Sequence, residues 1–215
     1  KVILLMKLIV PNQMNEIRLA DYQRFVRLEG DDEFLSRKAL EIFCGLSMDV
    51  ILQMKSSSLN KVNDVLMKSF AERPPLKQRF FIDKQEFGFI PSLEEITVGE
   101  LNDVDTYISD WSKMHNAMAV LYRPITAKFG NRYDIEKYEG SDKYADKMKG
   151  ISLDIAIGAM LFFWTLGNDL SQATLKSLEK EEGMNLAPLR SFLKNGGGYQ
   201  YTTNSQEATH SSLKK

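Results

Sequence analysis

The sequence predicts a mainly α-helical single domain with a small β-hairpin at about residues 79–90 and a disordered C-terminal tail. Three observations carry that prediction. Apolar residues recur at three- and four-residue steps through most of the first 180 positions, the helical period. One stretch, "RFFIDKQEFGFIP", instead sets two aromatic-rich pieces around the polar "DKQ", as a hairpin does. The end of the chain, after Gly196–Gly198, is polar and rich in Ser and Thr, a composition too poor in apolar surface to offset the entropy of folding. The domain is accordingly drawn over residues 6–195 and the flexible polar tail over 196–215.

The elements follow in chain order. "MKLIVP" from Met6, which reads as a more natural start than Lys1, has the β-branched run of a short strand. "NEIRLADYQRFVRLEG" spaces Leu19, Tyr22, Phe25 and Val26 helically, with Gly30 as its stop. Asp31 or Asp32 can cap a second helix carrying Phe34, Leu35, Ala39, Ile42 and Phe43 until Gly45 closes it. Ser47 opens "SMDVILQM", and "SLNKVNDVLMKSF" then runs toward Pro74 and Pro75. After the hairpin, a long helix is expected from Thr97 to about Tyr122. It has a capping box in Thr97 and Glu100 and a stop at Pro124. Its stripe is Val98, Leu101, Val104, Ile108, Trp111, Met114, Met118 and Leu121.

Residues 126–150 read as a polar surface excursion, a loop or irregular hairpin followed by a short exposed helix. From Ser152 another helix is expected to reach about Glu182, apolar on nearly every face through "LDIAIGAMLFFWTLG" and amphipathic beyond it. "APLRSFLKN", residues 187–195, reads as a short helix before the glycines. The apolar block at Leu161, Phe162, Phe163 and Trp164 is too short to span a bilayer. It is either the central core helix or a surface completed by a partner chain. In the core reading, Trp164→Ala should cost about 3–5 kcal/mol.

Charge excludes some function classes. Lys+Arg total 28 against 29 Asp+Glu, so no net field draws the chain to nucleic acid or an anionic membrane, and neither partner is expected. "RPPLKQRFF" interleaves basic and aromatic residues but is too short for a stacking platform. The single Cys44 sits among apolar residues and fits a buried thiol in a reduced compartment.

Catalytic signatures are missing. There is no phosphate-cradling glycine loop, no His-Glu-x-x-His and no cysteine pair at metal spacing, so no catalytic residue, cofactor or metal is assigned. His115 is the one candidate for acid/base work, because imidazole titrates near neutrality, but no local motif links it to Cys44, Ser36 or another nucleophile. His210 falls in the tail. From Pro91 to Ser112 the chain holds Glu94, Glu95, Glu100, Asp103, Asp105 and Asp110 with no Lys or Arg. Helical spacing scatters these carboxylates, so a solvated acidic face or a patch for a basic partner suits them better than a cation site.

Four pieces, "EIRLADYQRF", "LEIFCGLSMDVILQMKSSSLNKV", "FGFIPSLEEITVGELNDVDTYISDW" and "MAVLYRPI", together resemble the tail assembly chaperones of tailed bacteriophages over about residues 6–182. The resemblance implies a non-enzymatic protein of virion morphogenesis. Its partners would be other phage proteins, tape-measure-like or connector components, and it could form a homo-oligomer. It would act in the host cytoplasm during assembly or stay in the virion. Alternatives are a head-tail connector or ring protein, or a small enzyme using His115. Trp111, His115, Tyr122, Arg123, Phe162, Phe163 and Trp164 are the candidate protein-contact residues. Tyr122 and Arg123 are expected to face outward, since both residue types recur at binding hot spots.

Overall fold

The computed structural model describes residues 8–166. It is mainly helical, with a four-stranded antiparallel sheet in the order β1-β2-β3-β4. A 3-10 turn at Met14–Glu16 leads to α1 (Leu19–Phe25), α2 (Asp32–Cys44), α3 (Met48–Leu52) and α4 (Ser56–Ser69). Strands β1 (Arg79–Ile82) and β2 (Gln85–Phe89) follow, then α5 (Val98–Ile108), a 3-10 turn at Trp111–Lys113 and α6 (Met114–Leu121). The remainder is β3 (Tyr122–Phe129), β4 (Arg132–Ile135), α7 (Asp142–Met148) and α8, which begins at 153 and continues to the last described residue, 166.

Several boundaries follow from local chemistry as expected. Asp31 caps α2 by accepting from the Phe34 N–H at 2.7 Å, and Gly45 ends that helix at φ +66°, the left-handed conformation that favours glycine. Thr97 and Glu100 form the expected capping box on α5. The hairpin turns through Asp83 and Lys84, both at positive φ (49° and 67°), the signature of a tight two-residue turn matched to strand twist.

Other expectations are corrected. Leu8–Val10 form no strand, and α1 stops at Phe25, five residues before Gly30. The long helix proposed for 97–122 is broken. Asp110 adopts an extended conformation (φ −106°, ψ 105°) and its carboxylate accepts from the Ser112 N–H at 2.8 Å, so it restarts the chain in a new direction. Pro124 stops no helix: it sits inside β3, opposite Phe87, and its carbonyl accepts from the Glu136 N–H at 2.9 Å. A β-bulge just beyond it, between Ile125 and Ala127, absorbs the irregularity that a proline brings to an interior strand. The sheet therefore has two more strands than the single hairpin expected at 79–90: β3 and β4 form a bulged hairpin where a loop or irregular hairpin was expected, with β3 starting already at Tyr122. The tail, and residues 6–7 and 167–195 of the domain as drawn, lie outside the described residues.

The main core lies between the sheet and α5, α6, α7 and α8, where Met114, Met118 and Leu121 are fully buried, as expected of the inward stripe. A smaller cluster gathers Phe25, Ala39, Leu40, Leu46, Ile51 and Leu66 from the first four helices. Aromatic contacts bridge the two: Phe25 meets Phe43, Phe43 meets Phe70 and Phe70 meets Tyr22, with centroids 5.2, 5.6 and 5.9 Å apart. The backbone ties the start of α1 to the α7–α8 junction, with Leu19 N–H donating to the Ile151 carbonyl and Leu153 N–H to that of Ile17, both at 2.8 Å. Among the described residues no helix is long and apolar enough to cross a membrane.

Candidate protein-contact site

The seven candidate residues do not share one surface. Trp111 is buried, its ring edge-on to Tyr22 at 4.7 Å. His115 is half-buried beside it, and the Gln23 side-chain amide donates to both the Trp111 carbonyl (2.6 Å) and His115 Nδ1 (3.0 Å). An accepting Nδ1 leaves the imidazole proton on Nε2 in the neutral ring. Burial pushes the His115 pKa below its usual value; Lys149 and Arg27 add to the shift and Asp146 opposes it. The neutral form is therefore the resting one at pH 7, and its surroundings are a structural amide and a backbone carbonyl.

Tyr122 and Arg123 do not face outward. Tyr122 is fully buried, with its hydroxyl donating to the Lys77 carbonyl at 2.8 Å, and Arg123 is also buried. The reason is strand geometry. With the helix ending at Leu121, both residues lie on β3, an interior strand of the sheet, where Tyr122 packs against Phe80 and Phe89 and Arg123 meets Glu100 of α5. Arg123 Nη1 stands 2.5 Å from Glu100 Oε1, an ion pair in which both side chains are buried. The guanidinium lies 5.4 Å from the centre of the Tyr138 ring, whose hydroxyl in turn donates to Asp103 in a short hydrogen bond. Burial acts to raise the Glu100 pKa, but the Thr97 N–H and hydroxyl, together with Arg123, outweigh it and hold the carboxyl below its ordinary range.

The acidic stretch consequently divides in two. Glu100, Asp103 and Asp110 are engaged internally, with Arg123, Tyr138 and the Ser112 N–H respectively. Glu94, Glu95 and Asp105 are exposed to solvent. No group of three or more His, Cys, Asp or Glu side chains that could hold a metal ion occurs among the described residues.

Phe162, Phe163 and Trp164 are half-buried rather than core. Phe89 on β2 holds the two phenylalanines, 5.6 Å from Phe162 and 6.0 Å from Phe163, leaving Trp164 to line a groove between α5 and α8. That groove is walled by Leu101, Val104, Ile108, Met160, Phe163 and Trp164, with Asp105 as its one charged side chain. Val98 and Leu101, expected on the inward stripe, are instead 86% and 52% exposed, and of the α5 stripe only Val104 and Ile108 are buried. A second cleft, bordered by Gln13, Asn15, Arg73 and Asp154, is polar and open, and His115 lines neither.

The fold defines a class: a helical domain laid on a small antiparallel sheet, with an apolar groove between two helices and the exposed Asp105 carboxylate at its edge. Neither family models nor curated proteins nor solved structures yield a match to this chain.

Proposed function

We propose that this is a non-enzymatic bacteriophage assembly protein, tail assembly chaperone-like, acting through protein–protein contacts. The observation that best supports the reading is the α5–α8 groove, lined by six apolar side chains of which Leu101 is 52% exposed. Exposed apolar surface at a concave site costs free energy in water and is the ordinary mark of a protein-binding surface. Its shape suits an amphipathic helix laid in a groove, the mode by which one protein shields the apolar face of another. The partners proposed are other phage proteins, tape-measure-like or connector components, met in the host cytoplasm during assembly. His115 gives the enzyme alternative little support, since its Nδ1 is taken up by the Gln23 side-chain amide, which also holds the Trp111 carbonyl.

The test is the light-scattering mass of the purified chain, alone and after co-expression with each protein encoded beside it. A complex of defined stoichiometry that is lost on Leu101→Asp is the expected result. A chain that stays monomeric with every neighbour overturns the reading.

A further inference from the structure

We propose that the groove between α5 and α8 is occupied by the chain's own segment 187–195, "APLRSFLKN". This goes beyond the assembly reading and concerns the same groove: a partner helix would have to displace the segment to bind there.

The argument begins with what the groove requires. Its lining is apolar, so an occupant must bring an apolar face; its one charged lining residue is the exposed Asp105, and no Lys or Arg occurs anywhere from Pro91 to Ser112. The occupant should therefore be basic at its edges. A second copy presenting the same face would set carboxylates against carboxylates, and like charges across an interface oppose association.

The sequence beyond residue 166 contains one short segment with the required pattern. In 187–195, Leu189, Phe192 and Leu193 fall at i, i+3 and i+4, one face of a helix, while Arg190 and Lys194 are its only charged side chains. The other amphipathic stretch, "LKSLEKEE" at 175–182, sets Lys176 and Lys180 against Glu179, Glu181 and Glu182, a net charge of −1, and lacks the purely basic edge of 187–195.

The connection is long enough. The chain leaves α8 at residue 166, two positions beyond the groove residue Trp164. Residues 167–186 then give a tether of about 30 Å if helical throughout and about 70 Å if extended. Gly167 and Gly183 are positions at which a helical run can end and the chain reverse.

The experiment uses the full chain with Cys44→Ser, Leu101→Cys and Phe192→Cys, oxidised at micromolar concentration and resolved by non-reducing gel and intact mass. A tether of this length gives an effective concentration on the order of millimolar, so disulfide-bridged monomer should exceed bridged dimer by roughly 100-fold or more. A control pairing Phe81→Cys, exposed on β1, with Phe192→Cys should stay largely unbridged. Adding Arg190→Glu and Lys194→Glu should cut the yield of bridged monomer, while circular dichroism confirms that each variant is folded. If both thiols of a folded chain stay open to maleimide, the groove is vacant and available to a basic helix of another protein, and the proposal fails. Bridged dimer as the main product would put a second copy in the groove and overturn it equally. Neither failure bears on whether the co-expressed neighbours bind.

Discussion

Replacing Arg123 by Met keeps most of the aliphatic stem but removes the guanidinium from between Glu100 and Tyr138. The side chains of Arg123 and Glu100 are 8% and 5% exposed, so the carboxylate left behind is buried without its counter-ion. Breaking a buried pair in this way costs about 3–5 kcal/mol. The lower end of that range applies here, because Glu100 keeps the Thr97 N–H at 2.8 Å and the Thr97 hydroxyl at 2.7 Å. Loss of the cation–π contact with Tyr138 adds up to about 1–2 kcal/mol, and a total near 4 kcal/mol is expected at pH 7. The double variant Glu100→Gln with Arg123→Met should recover at least about 1 kcal/mol of this, since no buried charge then remains. The sign of the pH dependence follows from Glu100. In the parent its pKa lies below the ordinary 4.5, so its contribution is fully present above pH 4.5 and is lost as pH falls through the depressed folded value. In Arg123→Met the burial effect is less opposed and the folded pKa rises, so the penalty should be greatest at pH 7 and shrink toward pH 4. Urea denaturation of the parent, both single variants and the double variant across that range measures the cycle. A loss under about 1 kcal/mol that does not change with pH would refute the reasoning and restore Arg123 to the surface.

Other substitutions test separate parts of the fold. A Cβ at Gly158 would stand 2.5 Å from the Pro75 carbonyl oxygen, a backbone atom that cannot rotate away, so overpacking should exceed the helix-propensity gain and Gly158→Ala should lose about 1–2 kcal/mol. Gly99→Ala, on α5 with nothing within 4 Å, should instead gain about 0.5–1 kcal/mol; thermal melts showing one sign for both would contradict the placement of α8 against Pro75. Trp164→Ala should cost about 1–2 kcal/mol rather than the 3–5 expected of a core residue, because the ring is half-buried; a larger loss on chemical denaturation would move it into the core. Burial pushes the Cys44 thiol from 9.0 up to about 11, which lowers the thiolate fraction at neutral pH about 100-fold, so the native chain should react with a disulfide reagent far more slowly than the unfolded one.

What the sequence discloses and what it hides separate along the range of the interactions involved. Asp31, Gly45 and the Thr97–Glu100 box act on backbone groups within four residues, and each is found where local pattern puts it. The Asp83-Lys84 turn is equally local, although neither residue advertises a left-handed backbone as Asn-Gly would. The long helix failed at Ser109-Asp110 because a continuous apolar stripe outweighed a polar pair that is itself a helix-start signal; that signal was readable. The strand identity of Tyr122 to Phe129 was harder. "YRPITAKF" contains β-formers and a pre-proline residue biased to extended backbone, but only pairing with β2 and β4 decides that it continues past the proline as a strand.

The same distinction governs the site. Arg123 and Glu100 are 23 positions apart, so no local pattern joins them, and the free-energy cost of burying one without the other becomes visible only once β3 lies against α5. Conversely, the exposure of Val98 and Leu101 could not be inferred from a stripe that looked continuous, because Asp110 breaks it and only Val104 and Ile108 of its α5 part are buried. Asp110 holds that break by accepting the Ser112 N–H at 2.8 Å, so Asp110→Ala should cost about 0.5–2 kcal/mol on urea denaturation, and an unchanged midpoint would show that the turn does not rest on this cap.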